Sequence, residues 1–155
     1  MTYRISGLDP ADFAALRGAD EATLAAQNAK RVVANNKLGF PCRVTLEDAE
    51  AGESLILLNH VSRDVASPFR SAYAIYVRET AKQASTFIDE VPPVFANRTM
   101  AFRAFDAAGM LRNASLAGPG EADATIRILF DAPEIDYIDA HNAAHGCFAA
   151  RVERS

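Results

Sequence analysis

Ile135-Asp136-Tyr137-Ile138-Asp139-Ala140-His141, then Asn142-Ala143-Ala144-His145-Gly146, then Cys147-Phe148-Ala149-Ala150-Arg151-Val152: this stretch near the C-terminus decides the fold. Apolar and polar residues alternate on both sides of a short loop, which is the pattern of a half-buried β-hairpin and not of a helix. With the loop at Asn142 to Gly146, His141 pairs with Cys147, Asp139 lies opposite Ala149 and Tyr137 opposite Arg151. Tyr137, Asp139, His141, Cys147 and Arg151 then share one face, and Ile138, Ala140, Phe148 and Ala150 share an apolar one. A slip of one residue would scatter the polar set, so the division itself supports the register.

The same grammar extends outward from this hairpin. Met100–Phe105 and Met110–Leu116 flank Asp106-Ala107-Ala108-Gly109, a second hairpin signal. Tyr3–Ser6, Arg31–Ala34, Cys42–Glu47, Leu55–Leu58 and Tyr73–Arg78 read as further strands, and Ser62–Ser71 as a polar loop. Thr80–Asn97 reads as irregular or helical, broken by Pro92-Pro93. Helices are expected after the Asp9-Pro10 start, where Leu8 can staple against Phe13, and after Asp20. The clearest helix follows Gly118-Pro119-Gly120, with Ala122, Ile126, Leu129 and Phe130 on one face. Hairpins dominate and βαβ alternation is absent. The expectation is one α+β domain over residues 1–155, a mostly antiparallel sheet built from hairpins with helices packed on one side.

Composition sets outer bounds. Half of the 155 residues are hydrophobic, but 31 are alanine, so the larger apolar side chains make up roughly 30% of the chain. That suffices for a core and excludes a disordered chain. A net charge of −4, with 13 Arg and 3 Lys that form no basic run, argues against a nucleic-acid partner. The longest unbroken apolar run, Ala72–Val77, is far short of the roughly 20 residues of a membrane span. Met1–Ser6 has no apolar signal region, so a cytoplasmic protein is expected. Cys42 and Cys147 would there be reduced.

Three chemistries compete on the polar face. In the first, Cys147 is a nucleophile with His141 as its base and Asp139 orienting the imidazole; a buried cysteine acting as a small hydrophobe explains the same residue without catalysis. In the second, Cys42, His141, His145 and Cys147 hold zinc, although structural zinc ligands usually come in two close pairs and Cys42 is solitary. In the third, Cys42, Arg43, Arg70, Arg78, Arg103, Asn142 and Arg151 line a pocket for a small anionic ligand. Its bland counterpart pairs these arginines with Glu47, Glu53, Asp106 and Asp139 on a solvated face. His60 could serve any of these sites or simply end a strand. No phosphate-binding glycine loop, dinucleotide fingerprint or nucleophile elbow is present, and no cofactor is called for.

Three segments carry a resemblance. Gly39-Phe40-Pro41-Cys42-Arg43-Val44-Thr45-Leu46-Glu47-Asp48-Ala49 is one. Ser67-Pro68-Phe69-Arg70 with Ile75-Tyr76-Val77-Arg78-Glu79 is the second, and His141-Asn142 with Gly146-Cys147-Phe148-Ala149-Ala150-Arg151 the third. Together they resemble the bacterial domain of unknown function 1203 family, over about Arg4 to Arg151. The resemblance implies a stand-alone bacterial protein of this length and a closeness of the Cys42 and Cys147 segments. It brings no activity, so whether the chain is an enzyme stays open. The leading expectation is a small protein that binds or acts on an anionic ligand at a Cys/His/Arg pocket. The alternatives are a non-catalytic homodimer or partner-binding module, using the Tyr73/Ile75/Val77 face or Phe87-Ile88, and a zinc-binding module.

Overall fold

The computed structural model describes all 155 residues, Met1–Ser155. Its nine strands are β1 (Tyr3–Ser6), β2 (Lys30–Val33), β3 (Ser54–Arg63), β4 (Ser71–Arg78), β5 (Thr86–Ile88), β6 (Met100–Phe105), β7 (Leu111–Ala117), β8 (Tyr137–Asn142) and β9 (Phe148–Arg154). Two α-helices, α1 (Glu21–Ala26) and α2 (Ala122–Phe130), and short 3-10 turns at Pro10–Leu16 and Pro93–Phe95 complete it. The fold is α+β, and the named strands pair antiparallel throughout. They form two sheets: six strands in the order β5-β1-β9-β8-β6-β7, and three in the order β2-β3-β4.

The two N-terminal helices each have a local reason to start. Asp9 accepts from the Ala11 N–H ahead of Pro10, and Asp20 accepts from the Thr23 N–H at the head of α1. On α2 the expected stripe is the buried one: Ala122, Ile126, Leu129 and Phe130. It packs on the Ile138/Ala140 face of the large sheet, with Tyr3, Ile5, Met100, Phe102 and Val152 in the same cluster. A second cluster joins Phe13 and Leu24 of the N-terminal helices to Ile56, Leu58, Ile75 and Val77 of the small sheet. The Ile75/Val77 face, expected as an interface, is thus already covered within the chain, whereas Ile88 is exposed.

The C-terminal hairpin forms with a corrected register. Asp139 faces Arg151, Tyr137 faces Glu153 and His141 faces Phe148, with a bulge between the Ala140 and His141 pairs. The extra residue is Ala149, which joins Ala150 in the helix-side core. Phe148 is thereby rotated off the apolar face to the His141 side, where their rings meet edge-on at 5.9 Å. Cys147 falls in the loop and not in the ladder.

Cys42–Glu47, read as a strand, is instead a tight loop. Its backbone groups serve several partners: Arg43 N–H donates to Tyr76 O, Leu8 N–H to Arg43 O, and Ser85 N–H to Val44 O. Leu46 takes a left-handed φ of 54° and its N–H closes a turn on Cys42 O. Cys42, Val44 and Leu46 are still buried, which is what their alternation encoded. Gly7 permits this loop to lie so close, because a Cβ there would stand 1.9 Å from Val44 O. Two further expectations are corrected. β3 runs on to Arg63 where a loop was expected, with a bulge between Val61 and Arg63. The Thr80–Asn97 segment contributes β5, which finds its partner in distant β1.

Candidate functional site

The second face of the large sheet turns toward the small sheet, and the layer between them is polar. Asp139, fully buried, accepts from Arg151 through Nε at 2.8 Å and Nη2 at 3.2 Å. Arg63 of β3, equally buried, reaches the same carboxylate at 3.4 Å. Arg63 lies over the Phe105 ring at 3.6 Å and Arg151 over the Tyr137 ring at 4.1 Å. Those two rings stack on each other, 5.4 Å between centroids. Two guanidiniums thus clamp an aromatic pair, and a single carboxylate ties both down. A third, Arg103, sits opposite Asp139 in the ladder and donates to the Tyr73 hydroxyl at 3.0 Å. One negative charge faces three positive ones.

His141 is fully buried beside this layer. Its Nδ1 lies 3.0 Å from the Gly146 carbonyl, which can only accept, so Nδ1 carries the hydrogen in the neutral ring. Nε2 then offers a lone pair and has no partner. Burial chiefly, with Arg103, Arg63 and Arg43 adding repulsion, pushes the imidazole down to about 4, against the lift of the Gly146 bond. The ring meets Tyr73 edge-on at 5.0 Å. No hydrogen bond joins His141 to Cys147 or to Asp139: the imidazole is turned to Gly146, and the carboxylate is taken by the arginines. The expected Cys–His–Asp relay is therefore not assembled here.

The sulfur of Cys147 opens instead on a cleft of about 690 Å³ between the 142–147 loop, the 38–43 segment and β4. Arg43 forms its floor. Its Nε donates to Phe148 O at 2.8 Å, Nη1 to Pro41 O at 2.5 Å and Nη2 to Cys147 Sγ at 3.4 Å. Asn142 Nδ2 is a second donor to that sulfur, at 3.7 Å. Arg43 is 2% exposed and forms no ion pair with any carboxylate, and burial pushes its basicity down. Leu57, Tyr73 and Tyr76 supply an apolar wall, and exposed His145 stands at the mouth. Arg98 lies at the edge, gripping Asp48 with both nitrogens at 2.9 and 2.6 Å and holding Leu38 O at 2.7 Å.

The remaining expected ligand residues divide cleanly. Cys42 is in the core, its sulfur accepting from Val44 and Arg78 N–H groups, next to the cleft floor but not lining it. Arg78 pairs with Glu53 and Glu47, and Arg70 with Asp64 at the surface. Arg103 and Arg151 belong to the inter-sheet layer; Asp106 pairs with Arg112 instead. Arg43, Asn142, His145 and Cys147 are thus the expected residues brought together at the cleft. No three His, Cys, Asp or Glu side chains cluster to hold a metal, so Cys42, His141, His145 and Cys147 form no ligand set here. Sequence reasoning missed Arg63, Arg98, Tyr73 and Tyr76. The alternation of Tyr73, Ile75 and Val77 held the signal for Tyr73, whereas Arg63 and Arg98 gave none.

No helix is long and apolar enough to cross a membrane. Among known families, the one described as protein of unknown function (DUF1203) matches residues 39–154, which include every cleft and inter-sheet residue named above save Leu38. No curated protein and no solved structure matches the chain.

Proposed function

The chain belongs to the DUF1203 family, and since that description assigns no activity we propose a function from the cleft itself: the protein binds a small organic anion between Arg43 and the tyrosine wall. One observation carries this reading. Arg43 is a buried guanidinium without a carboxylate partner, at the floor of an open cleft. Burying a charge is costly unless an opposite charge and hydrogen bonds compensate it, and carbonyl oxygens supply only the latter. An incoming carboxylate would supply the missing charge. The volume suits a small ligand, because such sites commonly run from about 300 to 1,000 Å³. Leu57, Tyr73 and Tyr76 favour an apolar or aromatic body behind the anionic head. Two free cysteines fit a reducing, cytoplasmic setting.

The test is thermal unfolding with benzoate, acetate and inorganic phosphate as probes. Benzoate should raise the midpoint in a concentration-dependent way and more than acetate does, because binding to the folded state alone stabilises it. Arg43→Met should abolish the rise. Since that site is buried, Ala144→Glu at the exposed mouth is the second variant, and its added negative charge should weaken benzoate. Unchanged midpoints with all three anions would sink the reading.

A further inference from the structure

We propose that the inter-sheet layer is a second binding site, holding a small oxyanion that bears a hydroxyl, of bicarbonate size, among Arg63, Arg103 and His141. This site is distinct from the cleft and does not involve Arg43. Four buried side-chain polar atoms in the chain have no hydrogen-bond partner, and three of them belong to this layer: Arg63 Nε, the Tyr137 hydroxyl and His141 Nε2. Arg63 is 2% exposed and His141 is fully buried, so bulk water does not serve them. Folded chains leave few such atoms, and three in one layer mark a group that the chain itself does not supply.

Charge points the same way. Arg151 takes both oxygens of Asp139, at 2.8 and 3.2 Å, which leaves Arg63 a contact of ion-pair length, 3.4 Å, to the same carboxylate. Burial lowers the basicity of Arg63, and the pull of Asp139 does not restore it. Arg103, half-buried on the neighbouring strand, has the neutral Tyr73 hydroxyl as its partner and no carboxylate. Glu153, further along the face, is taken by Arg4 at the surface. Water would complete the hydrogen bonds but bring no charge, whereas an anion does both.

The orphaned atoms also specify the kind of anion. Arg63 Nε only donates, the Tyr137 hydroxyl does either, and His141 Nε2 only accepts while Nδ1 keeps its hydrogen against Gly146 O. Burial, and after it Arg103 and Arg63, keep the imidazole neutral, so that lone pair persists. The guest must therefore accept from guanidinium and donate to imidazole. A planar oxyanion suits a guanidinium fork, and bicarbonate has the O–H that nitrate and chloride lack. Tyr73 stands between the layer and the cleft, its ring edge-on to His141 and its hydroxyl on Arg103, so the way in runs past its ring.

The experiment follows thermal unfolding of the full chain in bicarbonate, nitrate or chloride at one ionic strength and mildly alkaline pH, where bicarbonate is the main species. Bicarbonate should raise the midpoint in a saturable way. Its half-saturating concentration should lie about tenfold or more below that of nitrate, because nitrate leaves the buried His141 lone pair unpaired. Arg63→Met should abolish the rise. Since that residue is buried, Arg103→Gln at a half-buried position is the second variant, and it should weaken bicarbonate by about tenfold or more. An unchanged midpoint in bicarbonate, a response that nitrate or chloride equals, or one that survives Arg103→Gln overturns the proposal. Displacement of bicarbonate by benzoate would put the anion in the cleft and overturns it too. Bicarbonate binding in a chain that benzoate does not stabilise sinks the cleft reading and supports this one.

Discussion

Asp139 holds the inter-sheet layer together by being alone. Arg63 and Arg151 both close on it, so Asp139→Asn leaves two guanidiniums facing each other across an aromatic pair. Removing one partner of a buried ion pair commonly costs about 3–5 kcal/mol, and urea unfolding should show a loss in that range. The exposed Arg4–Glu153 pair is the contrast: Glu153→Gln should cost less than about 1 kcal/mol. His141 gives a pH signature. Its folded value of about 4 lies below the ordinary 6.5, so at acid pH the unfolded chain takes up a proton that the folded chain refuses. Stability from this residue is intact above 6.5 and falls as pH drops toward 4, by up to about 1.4 kcal/mol per pH unit. His141→Gln should flatten urea midpoints measured across the upper part of that window, leaving the slope from His60, which burial pushes the same way, and below about pH 5 that of carboxylates such as Glu79, which its Arg31 partner holds down at about 2. The sequence placed Asp139, His141 and Arg151 on one face, and alternation alone sufficed for that. What it withheld was Arg63, because a bulge in β3 decides where that residue points.

At the level of elements, α2 and the C-terminal hairpin behave differently under sequence reading. α2 was legible to the residue, since a 3.6-residue period has one solution for its buried stripe. Ile126→Ala should cost about 2–5 kcal/mol in denaturant unfolding, while Ile128→Ala, 69% exposed, should stay within about 0.5 kcal/mol. The hairpin was legible as an element but not in register, because a single extra residue at Ala149 leaves no mark in an alanine pair. Cys42–Glu47 shows the opposite failure. Its alternation reads as a strand, yet its burial comes from a loop wedged under Gly7 and along β4. Gly7→Ala would drive a Cβ into backbone, which cannot swing aside as a side chain does. A destabilisation above about 2 kcal/mol is expected from calorimetry, at the upper end for overpacking.

For the whole molecule, two sheets with separate cores raise the question of what makes them act together. Polar links between them are Arg63 to Asp139, Arg151 Nη2 to Ser62 O, Arg103 to the Tyr73 hydroxyl, and Arg43 from the 42–47 loop to Phe148 O, beside ring contacts such as Tyr73 with His141. With buried charge at the joint, parting the sheets alone would strand guanidiniums, so one cooperative transition is the expected behaviour. Far-ultraviolet dichroism and tyrosine emission should give coincident urea curves; two separated transitions would show that the sheets unfold independently. The strands were readable one at a time, but their partition into two sheets was not, because it depends on β1 reaching both β5 and β9 across the chain. The tyrosine wall has a consequence of another kind. The chain has no tryptophan and four tyrosines, and two of these, Tyr73 and Tyr76, face the cleft. Half of its tyrosine fluorophores therefore line the cleft, so the emission of the unlabelled protein would report directly on the anion proposed there.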